Sequence, residues 1–427
     1  MTATLTAPNT TKTVRPLAPL SSSIFHYSSP VDEEWDAVIV GGGVVGLCAG
    51  MELSRCFDGS RYLFQNVLIL EKGEPGCEQS TRNSGVIHAG IYYPQDTLRA
   101  RLCVEGNPML YGFCREHTVP FRNVGKYIVA TSNEEEHVLE EICRRAEELK
   151  INVLPVRGTE VARAEPNIAA MSGLFFPSTG VINAGWYIKT LENILTKGCG
   201  QQICTHSKVV SIEPRGSGII EVGYEHEGQY EIVATRVLIN SAGLFSDEIA
   251  SLCNPDMTHP VLPSRGEYYT FNRTRRSDLN YNGTNIYPVP EIQQRHCMEA
   301  IWPGVHITPQ VSDNWSGDVW ELSDEVLVGP LRPPGQEFDS KTDYESDRMP
   351  PQEFISRVAP FFPSLQVKDL RLGMTGIMTE IVERDFSIEK DSKYPNIIHL
   401  SGMGSPALTA SLAIGRMVAD IAREVIQ

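Results

Sequence analysis

Asp36-Ala-Val-Ile-Val-Gly-Gly-Gly-Val-Val-Gly46, with the second apolar run Asn66-Val-Leu-Ile-Leu-Glu71 behind it, is the stretch that decides the fold. Residues 36–40 form a short β-branched apolar run and predict a buried strand; 47–55 predict a helix and 66–70 a second strand. A G-x-G-x-x-G pattern alone is a weak signal. Here it lies directly between a strand and a helix, and an acid ends the next strand, which is the context of a dinucleotide-binding βαβ unit. Gly41 permits the tight turn, Gly43 lets the backbone approach a pyrophosphate, and Gly46 lets the helix pack on the sheet. The helix N-terminus offers N–H groups and partial positive charge to the phosphates. Glu71, with Lys72 beside it, can accept from both ribose hydroxyls, and its charge disfavours a 2′-phosphate. Residues 57–65 make the crossover longer than usual.

Working outward, the unit opens the folded part of the chain, and a second glycine-rich element, Gly402-Met-Gly-Ser-Pro406, closes it about 360 residues later. A third loop, Asn240-Ser-Ala-Gly243, follows the apolar run 236–240. An elongated cofactor held in a discontinuous domain fits this spacing, so FAD is expected rather than NAD. The 427 residues suffice for two or three domains. With 37 basic and 53 acidic side chains the net charge is −16, which argues against nucleic acid as a partner. No apolar run is long enough for a transmembrane span. The 10 cysteines include no C-x-x-C pair, so no metal site is expected and the thiols read as reduced and intracellular, cytoplasmic or mitochondrial.

Residues 1–34 read as a flexible tail, rich in Thr, Ser and Pro. Residues 134–150 predict an exposed amphipathic helix, 209–212 a strand, 265–271 and 284–290 strands of a different sheet, and 407–426 a closing helix. The Pro-rich acidic stretch 310–350 reads as a solvated surface excursion.

At Ser80-Thr-Arg-Asn-Ser-Gly-Val-Ile-His-Ala-Gly-Ile-Tyr-Tyr-Pro94 the sequence resembles the FAD-dependent L-2-hydroxyglutarate dehydrogenase/oxidase family, within the D-amino-acid-oxidase-like flavoproteins. Gly125-Lys-Tyr-Ile-Val-Ala130, Arg265-Gly-Glu-Tyr-Tyr269, Asn285-Ile-Tyr-Pro-Val-Pro290, Gly304-Val-His-Ile-Thr-Pro309 and Ser405-Pro-Ala-Leu-Thr-Ala410 extend the resemblance in order. It implies an α/β fold: a Rossmann-like FAD-binding domain (35–105, 180–260 and 366–427) interleaved with an α+β substrate domain on a mostly antiparallel sheet (106–179 and 261–365). It implies noncovalent FAD, with Thr81, Arg82, Asn83 and Ser84 along pyrophosphate and flavin, Val209 at the adenine, Ala242 and Gly243 beside the cofactor, and Met403, Gly404 and Ser405 at the flavin's pyrimidine edge. His88 and His306 are the expected catalytic bases, and Arg265, Tyr268, Tyr287 and Thr308 the expected substrate ligands.

The chemistry asks for these residue types. Oxidising a 2-hydroxy acid needs a base for the hydroxyl proton, and neutral histidine serves at working pH. It also needs a cation or donors for the carboxylate. Two departures from the family bear on that need: Leu331-Arg-Pro-Pro-Gly-Gln-Glu-Phe338 replaces an apolar and basic segment, and Gly376-Ile-Met-Thr-Glu380 lacks the arginine of G-I-R-A-Q. C–N oxidation of an amine or amino acid, another specialised metabolite, or a flavin protein without turnover therefore stay open. The acceptor that reoxidises the flavin (oxygen, a quinone or an electron-transfer flavoprotein) is open too.

Overall fold

A computed structural model describes residues 34–426 apart from 258, 277, 296–297, 333–339, 347 and 384. The expected tail lies outside the described residues, apart from Glu34.

The first sheet is built around Glu34–Val40, which pairs in parallel with Val67–Leu70 on one side and with Gln229–Asn240 on the other. Gln202–Cys204 and Ile397–Ser401 extend the parallel part at its two ends. Ser207–Pro214 and Ile220–His226 join Gln229–Asn240 antiparallel, as a meander. Strands buried on both faces need continuous apolar runs, and Val67–Leu70 is buried at every position. Helix Val44–Ser54 packs against the closing helix Ala407–Ile426, which also packs on Leu98–His117. The Val44–Ser54 contact is close because Gly415 brings the closing helix onto the Cys48 backbone; a Cβ there would lie 2.7 Å from the Cys48 carbonyl oxygen.

The second sheet has eight strands in the order Arg371–Glu380, Leu262–Asn272, Trp320–Leu331, His306–Trp315, Asn285–Pro288, Lys126–Ala130, Ser172–Phe176 and Leu154–Arg157. Every neighbouring pair is antiparallel except Asn285–Pro288 with Lys126–Ala130. A core of Phe271, Phe354, Phe361, Phe362 and Val328 covers one face of this sheet. The mostly antiparallel substrate sheet is thus as expected, and the helix Asn133–Glu148 also forms.

Two boundaries and one surface reading differ from the sequence analysis. Arg371–Glu380 pairs with Leu262–Asn272 over its whole length, so the second sheet runs to residue 380 and the return to the first domain comes later than 366. The helix starting at Leu98 runs to His117 and packs on the closing helix, so the first unit passes 105. The acidic stretch is solvated only in part: 312–325 forms the exposed outer end of a strand pair whose inner end is buried. Val311, Val326 and Val328 are buried in the middle of the sheet. Residues 340–346 and 348–349 then form a strap tied to both units. Lys341 Nζ lies 2.7 Å from Asp247 and 2.8 Å from Glu248, Tyr344 lies under the Arg82 guanidinium, and the Met349 N–H donates to Glu267. Acidic composition marks solvent only on average; the inner ends of these strands, 306–309 and 326–329, are continuous buried runs, and they decide.

Candidate functional site

Between the two sheets lies one cavity of about 1070 Å³. That exceeds the usual range for a small metabolite, roughly 300–1,000 Å³, and leaves room for a larger group besides.

At one end the wall is backbone. Gly41 has φ +105°, and a Cβ there would lie 2.6 Å from the Ser241 carbonyl oxygen. A Cβ on Gly46 would lie 2.1 Å from the Gly41 oxygen, so Gly46 serves the helix–strand approach and does not line the cavity. Gly43 caps the helix without a side chain, the first turn holds no acid, and Gly43, Val44 and Val45 line the cavity, so the positive end of the helix lies at the wall. Glu71 is fixed at the strand end by the Gly42 and Gly73 N–H groups, at 2.7 and 2.8 Å; burial raises its carboxyl against these two bonds. Lys72 lines the cavity, paired with Glu78 at 2.7 Å and lying 3.4 Å over the Phe245 ring. Val209, Ala242 and Gly243 line the same end. This glycine cradle and fixed carboxylate fit the ADP half of a dinucleotide.

The loop after it is placed differently from the sequence reading in one respect. Thr81 donates to the Gly76 carbonyl and lies off the cavity wall, whereas Ser80 faces the helix start and accepts from the Val44 N–H at 2.9 Å. Arg82, Asn83 and Ser84 line the wall, and Asn83 holds the loop by accepting from the Gly85 N–H. Met403, Gly404 and Ser405 line it where the closing helix begins. The Ser405 hydroxyl lies 3.2 Å from that of Tyr93.

The other end is made of side chains from distant segments. His88, Tyr268, Tyr287 and His306 all line it. The His306 ring stacks on Tyr287 with centroids 3.9 Å apart and planes 11° apart. Its Nδ1 lies 3.0 Å from the Gly304 carbonyl oxygen. A carbonyl can only accept, so Nδ1 carries the hydrogen and Nε2 keeps its lone pair. Burial pushes both histidines down to about 3, and the Lys126 ammonium adds to this in each case. Both are neutral and able to take a proton. Tyr268 is pushed up to about 12 by burial although the Ser84 side chain bonds it, and burial also raises Tyr287. Both phenols therefore remain hydrogen-bond donors.

Two expected substrate ligands are not on this wall. Strand alternation puts Ser264 and Gly266 toward the cavity and Arg265, between them, on the far face. There Arg265 pairs with buried Glu267 at 3.1 Å and donates to the Ser346 carbonyl in the strap. Thr308 is fully buried beside the Tyr287 phenol, not on the wall.

In place of Arg265 the structure brings Arg332 to the cavity, its guanidinium 4.4 Å over the Trp302 ring. Sequence reasoning also missed Arg99, Tyr92 and Tyr93 on the wall, and Lys126 one layer behind it. For Lys126 a signal existed: a charge at the head of the otherwise apolar strand Lys126–Ala130. For Arg332 the chain offered just its place after the last strand residue, Leu331.

Among the described residues no helix is long and apolar enough to cross a membrane. Residues 36–421 match the model of the family described as FAD dependent oxidoreductase. The chain is similar to L-2-hydroxyglutarate dehydrogenase of Indibacter alkaliphilus, 30% identical over 91% of this chain and 98% of that protein. It is similar to the mitochondrial L-2-hydroxyglutarate dehydrogenase of Nematostella vectensis, 28% identical over 94% of this chain and 93% of that protein. Among solved structures, L-alpha-glycerophosphate oxidase from Mycoplasma pneumoniae with FAD bound superposes with a TM-score of 0.77, at 25% identity, covering 92% of this chain and 95% of that one. A cradle shaped for a dinucleotide, opening on a chamber with two neutral histidines, is what this match leads one to look for, and the chain belongs to the FAD dependent oxidoreductase family.

Proposed function

We propose that the protein oxidises a small 2-hydroxy acid, L-2-hydroxyglutarate or a close analogue, to the 2-oxo acid. The observation that carries this reading is the neutral histidine pair on the same wall as Arg332, in the cavity that also holds the dinucleotide cradle. The names of the similar dehydrogenases point to the same substrate.

Gly41, Gly43, Glu71, Ser80 and Val209 would hold the ADP half of FAD, and Ser84, Met403, Gly404 and Ser405 the flavin half. Bound FAD supplies a two-electron acceptor for the hydrogen that leaves the substrate Cα. Arg332 anchors a substrate carboxylate, a geometry that suits the planar guanidinium. The Tyr268 and Tyr287 hydroxyls donate to the substrate oxygens. A histidine ring nitrogen takes the hydroxyl proton: His306 offers Nε2, its tautomer fixed by Gly304, and the His88 ring makes no hydrogen bond to a described residue and faces the cavity. Apolar walls from Val86, Ile377 and Met378 help exclude water from the reacting carbon.

The test is an anaerobic panel of 2-hydroxy acids and amino acids, read by bleaching of the flavin absorbance. Bleaching by L- but not D-2-hydroxyglutarate is expected. Bleaching by amines alone sinks the reading. One observation favours that second reading, C–N oxidation: Glu380 lines the cavity, where the related sequences' pattern ends in a neutral glutamine, and a carboxylate there suits an ammonium substrate. An intracellular setting, cytoplasmic or mitochondrial, belongs to the same proposal.

A further inference from the structure

Lys126 is fully buried and its Nζ has no hydrogen-bond partner among the described residues. Three aromatic faces surround the nitrogen: Tyr92 at 4.4 Å, Tyr287 at 4.9 Å and Phe176 at 5.3 Å. Phe176 is its partner on the neighbouring strand, and Tyr92 and Tyr287 form the cavity wall. The amine thus sits one ring thickness behind the wall, beyond the Tyr287 ring on which His306 stacks.

A cation in such a place is costly unless a negative charge offsets it. Ring faces supply part of that field, but much less than a carboxylate does. No carboxylate among the described residues acts on it. The helix Leu98–His117 offers Cys103, whose thiol burial pushes up to about 12, so it is uncharged. The segment 88–92 offers His88 and Tyr92, Asn285–Pro288 offers Tyr287, His306–Trp315 offers His306, and Ser172–Phe176 offers nothing ionisable. All of these are neutral near pH 7 as well. In a protein of net charge −16 the amine is thus a basic group hidden behind the aromatic wall.

We propose that Lys126 is a positioning residue for an anionic substrate: its ammonium, set behind the Tyr92–Tyr287 wall, is the charge against which the substrate carboxylate is held, so that anion binding draws a proton onto it. The inference rests on the proposed hydroxy-acid reading. Coulomb interaction in a low-dielectric interior reaches across one ring without contact. Burial lowers Lys126 to about 7, so the free protein holds it half-charged near neutrality. An anion nearby favours the charged form, and the lysine pKa rises on binding. Both histidines lie too low, and the phenols and Cys103 too high, to exchange protons in the same range.

The experiment is calorimetric titration of the FAD-loaded protein with 2-oxoglutarate, which has no hydrogen to give up, in buffers of different ionisation enthalpy. Proton uptake is expected to be near zero at about pH 6 and to reach several tenths of a proton at about pH 8. Lys126→Met should bind roughly 10-fold more weakly at about pH 6.5 and show no uptake; Lys126→Arg, always charged, should keep the affinity without uptake. Binding without uptake in the wild type, or uptake that persists in Lys126→Met, overturns the inference and leaves the hydroxy-acid reading standing. Failure of 2-oxoglutarate to bind, with the flavin bleached by amines, overturns both. If Lys126→Met loses its flavin, the wild-type pH series decides alone.

Discussion

The two ends of the cavity are built on different principles. The cradle end is organised by backbone: Gly41, Gly43 and Gly46 act by what they lack, in one continuous strand–turn–helix whose start lines the cavity. The chamber end is side chains: His88, Tyr268, Tyr287, His306 and Arg332 come from five separated segments, and Lys126 from a sixth. A backbone site tolerates almost no added atom but asks little of the rest of the fold. A side-chain site tolerates conservative exchange at each position, yet exists only when the second sheet is complete.

Adding one carbon at the cradle is the strongest test of this contrast. Gly46→Ala puts a Cβ 2.1 Å from the Gly41 oxygen, and the expected outcome is protein without flavin, read as the absorbance ratio after purification. Protein that keeps a full complement would refute the backbone account. Next come the histidines. His88→Asn and His306→Asn should retain flavin while the acting base loses roughly 10²–10⁴-fold in kcat/KM, the usual contribution of general-base catalysis. Rescue by added imidazole identifies which ring takes the proton.

Arg332→Met should raise KM for the hydroxy acid on the order of 10–100-fold, as for a charge-assisted hydrogen bond, with a smaller change in kcat. An unchanged KM moves the carboxylate anchor elsewhere. Arg265→Met is the matching control. It breaks a buried pair with Glu267, so stability should fall by about 3–5 kcal/mol in denaturant titration while KM changes less than about twofold.

The smallest effect expected is in the pH profile. Both rings lose their charge above about 3, so the neutral base persists down through mildly acid conditions. The acid limb of kcat/KM should lie below about pH 5 instead of near the ordinary histidine value of about 6.5. A limb at the ordinary value would show that the histidines are hydrated and that the chamber end is open to water.

How much was legible in the chain follows from the same contrast. The run 36–46 with Glu71 announced the cradle, because strand, turn and helix are neighbours in sequence and each glycine answers a local steric demand. The closing helix was read to its ends, since its apolar spacing is also local. Arg265 was misread for a reason of parity. It shares a motif with Tyr268, but a residue three positions away on a strand faces the other side. Acidic residues in 310–350 hid two central strands, because they cluster at the exposed outer end of the pair while the buried runs 306–309 and 326–329 lie at the inner end.

By itself the sequence determined that a dinucleotide lies at the start of the fold and that two histidines occur in motifs of a flavin-dependent oxidoreductase. Tertiary structure decided which arginine lines the cavity, which arginine is locked in a salt bridge, and that a lysine without a carboxylate partner among the described residues stands behind the aromatic wall. The reason is physical. Steric and hydrogen-bond demands of one turn are written in adjacent residues, whereas the orientation of Arg332 and the burial of Lys126 depend on pairing among strands far apart in the chain, and no short stretch encodes that pairing.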